Sequence, residues 1–106
     1  MTKYILWKIK PGKRTVWEKW CKSIMTSHQQ EALETLIEED LVHEKCLILG
    51  KGDESYVLYK HQSVRGKEKK PANMSRSLNK KHFEILYECL ERVPGATVTG
   101  YDLKVG

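Results

Sequence analysis

The chain has 106 residues, 40% of them hydrophobic and 31% charged, with 19 Lys and Arg against 14 Asp and Glu for a formal net charge of +5. That size and balance fit one globular domain with a modest core and exclude intrinsic disorder. The apolar stretch in residues 1–10 is too short and too broken by lysine for a signal peptide or a membrane span, so a cytoplasmic protein with no membrane partner is predicted.

Residues 3–10 alternate as a strand, with Ile5, Trp7 and Ile9 on one side and Tyr4, Leu6 and Lys8 on the other, so both faces carry large apolar groups. Pro11-Gly12 stops it. The period then changes: Val16, Trp17, Trp20, Cys21, Ile24 and Met25 recur at helical spacing, and the phase runs on through His28, Ala32, Leu33, Leu36 and Ile37. A long helix is predicted, with the polar run Ser27–Gln30 as the place for a kink or break. Glu38, Glu39 and Asp40 oppose the dipole at its carboxyl end and call for a partner of opposite charge.

Residues 41–49 read as a second strand, with Val42, Glu44, Cys46 and Ile48 on one face and Leu41, His43, Lys45, Leu47 and Leu49 on the other. The glycine-rich stretch 50–54 reads as a hairpin loop and 55–61 as the third strand, antiparallel to the second. From Gln62 to Arg76 the chain is basic and aperiodic and is expected to be a mobile loop. A second helix follows, with Asn79 as N-cap and Phe83, Leu86, Leu90 and Val93 as its buried stripe, until Pro94-Gly95 ends it. The alternation of Thr97, Thr99, Tyr101, Leu103 and Val105 predicts a last strand over about residues 96–105.

This order, β-α-β-β-α-β, predicts a ferredoxin-like α+β domain: a four-stranded antiparallel sheet with two helices on one face. The other face is left open, and a second copy is the simplest thing to cover it, so a homodimer is expected.

Ile9-Lys10-Pro11-Gly12-Lys13, Trp17, the run Glu31–Glu39, Glu44 before Leu47, Tyr56–Tyr59 and Asn79-Lys80-Lys81-His82-Phe83 together resemble a family of small uncharacterised proteins of the dimeric α/β barrel superfamily. The resemblance implies a fold and a dimer and carries no activity with it. It departs in the basic loop and at Asn79, where an acidic cap would be expected. The wider superfamily includes cofactor-free monooxygenases, haem-degrading enzymes, lactone isomerases and ligand-sensing domains, so the fold by itself selects no function.

Glu44 shares a strand face with apolar neighbours, where a carboxylate has to be paired or have its pKa raised. It is therefore either ion-paired structurally or a proton acceptor and ligand anchor. His82 falls near the start of the second helix beside Lys80 and Lys81, either as a solvated helix start or as a catalytic or anion-binding group. Trp7, Trp17 and Trp20 are core residues or the aromatic wall of a flat ligand's site, to which Tyr59 could add a hydroxyl.

Cys21, Cys46 and Cys89 are odd in number and widely spaced, which argues against a disulfide framework or a metal knuckle and leaves them as small buried hydrophobes. No histidine pair has metal-ligand spacing, and no cofactor is predicted. Lys60, Arg65, Lys67, Lys69, Lys70, Arg76, Lys80 and Lys81 crowd one stretch whose only acid is Glu68, yet no aromatic lies between Tyr59 and Phe83 for bases to stack on.

Three functions remain, in this order: a homodimeric domain binding a small organic molecule, with Trp7, Trp17, Trp20, Glu44, Tyr59 and His82 as its site; a cofactor-free oxygenase or isomerase using Glu44 or His82; and recruitment of nucleic acid or an acidic partner through Lys67, Lys69, Lys70, Lys80 and Lys81.

Overall fold

The structure is a computed structural model that describes residues 1–106. Strand β1 (Thr2–Ile9) is followed by helices α1 (Arg14–Met25) and α2 (Gln29–Glu38), strands β2 (Leu41–Lys51) and β3 (Glu54–Ser63), helix α3 (Ser77–Cys89) and a short strand β4 (Leu90–Arg92). The sheet is antiparallel in the order β2-β3-β1-β4. This is an α+β fold, compatible with a ferredoxin-like plan but with three helices where two were expected.

The extra helix comes from a break at Thr26–His28. Thr26 Oγ1 donates to the Lys22 carbonyl at 2.8 Å, and the Thr26 backbone leaves helical geometry at φ −117°, ψ −82°. Such local hydroxyl bonds offer the backbone an alternative to the helical ladder. The phase restarts when Ala32 N–H donates to the His28 carbonyl. α2 then turns Thr35 inward and leaves Leu33 and Ile37 exposed.

Three further expectations are corrected. The fourth strand is Leu90–Arg92, not 96–105. Leu90 is buried and pairs with Ile9, so what read as the end of a helical stripe is the start of a strand. Residues 96–106 belong to no strand of the sheet. Asn79 is not the N-cap either. α3 begins at Ser77, and the Asn79 side chain donates to the Asn73 carbonyl at 2.9 Å instead, which puts His82 in the second turn.

Ile9, Trp17, Trp20, Val57, Tyr59, Leu78, Leu86, Cys89 and Leu90 form the core between the helices and one sheet face. On the other face Leu47, Leu58 and Leu6 lie side by side across β2, β3 and β1, and Leu47 stays 41% exposed. Leu41 belongs to the helix side, against expectation, because the β2 register shifts between Leu41 and His43 and leaves Val42 exposed.

Candidate functional site

The strand register assembles the site. β2 and β3 turn on Gly52 and Asp53, and stepping away from that turn sets Glu44 opposite His61, which in turn faces Lys3 across β1. Three titratable side chains thus form one row on the helix-facing side of the sheet. Glu44 Oε1 and His61 Nε2 are 2.8 Å apart, and the His61 ring stacks on Tyr59 with centroids 5.5 Å apart and planes at 15°.

This row floors a cavity of about 370 Å³ between the sheet and the helices. Trp7, Trp20, Tyr59, His82 and Phe83 supply its aromatic and imidazole wall, while Glu68, Lys69 and Ala72 of the loop close it from outside. Of the six residues read as a ligand site, five line it. The sixth, Trp17, is fully buried behind it, its ring 6.3 Å from Tyr59 and 6.2 Å from His82, and its indole N–H has no hydrogen-bond partner.

His82 has a defined protonation. The Trp20 indole, which can only donate, gives its Nε1–H to His82 Nδ1 at 2.9 Å. The neutral ring therefore carries its proton on Nε2, the one donor His82 can offer a molecule in the cavity. Burial pushes its pKa below the usual histidine value, the nearby Glu44 charge partly opposes this, and His61 adds to the lowering. Against that donor stands Glu44, whose Oε2 is not the oxygen taken by His61. A donor and an acceptor thus share one cavity with aromatic rings, which is the arrangement that orients a flat polar molecule.

His61 was missed as a site residue in the sequence reading. The signal was there, because a two-residue turn at Gly52-Asp53 dictates the Glu44–His61 pairing as soon as the turn is recognised.

The basic loop is held by acids. Lys69 reaches Glu39 at 2.9 Å, Lys67 and Lys70 reach Asp40 at 3.7 and 3.1 Å, and Arg76 forms a two-point pair with Glu38 at 2.9 Å for each contact. These are the partners that the acidic end of α2 called for. Backbone bonds from Val64 N–H to the Asp40 carbonyl and from Lys70 N–H to the Glu39 carbonyl strap the loop across the α2–β2 turn. Lys80 is exposed, and the Lys81 ammonium sits 5.6 Å from the centre of the Trp20 ring.

These features define a small α+β domain with a polar-floored cavity between its sheet and its helices. Residues 2–103 match the model of a family of unknown function, DUF6176, and the chain belongs to that family. Searches of curated proteins and of solved structures give no match. No helix is long and apolar enough to cross a membrane.

Proposed function

We propose that the chain is a homodimeric domain of the ferredoxin-like, dimeric α/β barrel type that binds a small, flat organic molecule between its sheet and helices. The observation that carries this reading is one cavity of about 370 Å³ in which the His82 Nε2–H donor and the Glu44 acceptor stand among Trp7, Trp20 and Tyr59. That volume lies in the range of small-molecule sites. The central position of β1 and β3, and the leucine row on the uncovered face, support the fold type and the dimer. A cytosolic setting goes with three free thiols.

The test is a titration of tryptophan fluorescence with a panel of hydroxylated aromatic acids and ketones. At least one compound should give saturable quenching, and Glu44→Gln and His82→Gln should each weaken it by roughly tenfold, the value of one hydrogen bond to a charged or fixed partner. Glu44→Gln should leave the thermal midpoint nearly unchanged, because the carboxylate–imidazole contact it breaks is partly solvent-exposed, and even a charged pair in that setting contributes about 0–1 kcal/mol. A large loss of stability with unchanged binding would make Glu44 structural and sink its role in the site.

The second reading is proton transfer by a cofactor-free oxygenase or isomerase. The observation that favours it is the Glu44–His61 carboxylate–imidazole contact at the cavity floor, a pair suited to taking a proton from a bound acid. Loss of the bound compound over time, abolished by Glu44→Gln, would establish it. Nucleic-acid recruitment stands below both readings, since Lys67, Lys69 and Lys70 are each engaged by an acid of the same chain.

A further inference from the structure

Residues 97–105 carry a strand's pattern without a strand's partners. Thr97, Thr99, Tyr101, Leu103 and Val105 fall on one side of an extended chain. Tyr101 and Leu103 are 89% and 84% exposed. Just before it, the Ala96 N–H to Val93 carbonyl bond closes a turn through Pro94 and Gly95 that takes the chain off the edge of β1. β2 has the complementary defect. Its inner edge pairs with β3 from Leu41 to Lys51, while its outer edge borders no strand. An unpaired edge of that length is a template for another strand.

Within one chain the tail leaves the sheet at the edge opposite the one that lacks a partner. β4 and β2 are opposite edges of the sheet with β1 and β3 between them, a separation of about 14 Å at ~4.8 Å per strand spacing. Crossing that distance at ~3.3 Å per residue uses at least about four residues of the tail before any pairing begins.

We propose that residues 97–105 add as a fifth strand to β2 of a second copy, reciprocally, so that each subunit's tail completes the other's sheet. This rests on the homodimer reading above and goes beyond it by naming the element exchanged and what it brings to the cavity. The alternation limits the register. An antiparallel strand that lays Tyr101 against Leu47, and so joins its apolar side to the leucine row, also sets Thr99 opposite Leu49 and Lys104 of the partner subunit opposite Glu44. The second copy thereby places a cation beside the carboxylate–imidazole pair at the cavity floor, and the charges match across the new strand pair.

The experiment uses the full chain. Thr99→Pro with Leu103→Pro removes two strand N–H donors at exposed positions. The circular-dichroism melt at low concentration should be unchanged, and the dimer constant from sedimentation equilibrium should weaken at least about tenfold, more than about 1.4 kcal/mol. In a second measurement, a Leu47→Cys chain is mixed with a Tyr101→Cys chain and oxidised. A cross-linked pair should form on a non-reducing gel in the mixture and not with the native chain. If the proline variant dimerises as tightly as the native chain and no mixed pair forms, the strand exchange is wrong while the homodimer stands. A native chain that is monomeric at tens of micromolar, roughly, overturns both.

Discussion

His82 is the residue whose chemistry is most constrained, because two separate effects keep it neutral. Burial disfavours its charge, and the Trp20 N–H occupies Nδ1, where a second proton would have to go. The folded pKa therefore lies below the unfolded value near 6.5, and the unfolded chain binds more protons between the two. Stability from this site is complete above about pH 6.5 and falls as pH drops through the lower, folded value. Gln at this position can still accept from Trp20 and cannot titrate, so urea melts at several pH values should show a shallower loss for His82→Gln than for the native chain across that window. An equal slope in both would remove His82 as the source.

At the scale of elements, the loop 64–76 shows how charge can anchor a segment that has no apolar period. Glu38 is kept below the usual carboxylate range by the Arg76 guanidinium, so this anchor is lost as pH falls through that lowered value. Exposed ion pairs are also screened by salt. Trypsin cleavage at Arg65 and Lys67 should accordingly come first in the chain and accelerate severalfold between low and high salt, read as the rate at which the intact band is lost. Salt-independent cleavage, or first cleavage elsewhere, would count against an electrostatic strap. The core behaves differently. Val57 is fully buried beneath the helices, and Val57→Ala should cost stability by about 1–3 kcal/mol in denaturant melts, with little dependence on salt.

For the whole molecule, the leucine row of Leu6, Leu47 and Leu58 and the tail of residues 97–105 make the same demand, since each is a surface that association would cover. The thermal midpoint should therefore rise with protein concentration, and sedimentation equilibrium should show a dimer at tens of micromolar, roughly. The excess positive charge points less far. Duplex DNA should bind no tighter than roughly micromolar at physiological salt, and a salt-sensitive affinity well below that would return the basic loop to the first place among candidate sites.

Periodicity alone determined most of the elements, because burial on one side imposes a spacing of two on a strand and 3.6 on a helix. β1, the two crossovers, the β2–β3 hairpin and α3 are all legible this way, and so are five of the cavity's residues, since aromatic and ionisable side chains stand out against an apolar pattern. Alternation says that a segment prefers to be extended, not what it pairs with. For that reason the tail read as the fourth strand, while Leu90, in phase with a helical stripe, turned out to start it; only the position of β1's free edge decided between them. Glu44's partner was likewise a matter of register: His61, not His82, lies across the ladder, and His82 instead meets Trp20 from another helix. The acids at the end of α2 announced a need for cations, but which lysines meet it depends on how a loop without any period folds back over the α2–β2 turn, and that is settled by three-dimensional packing.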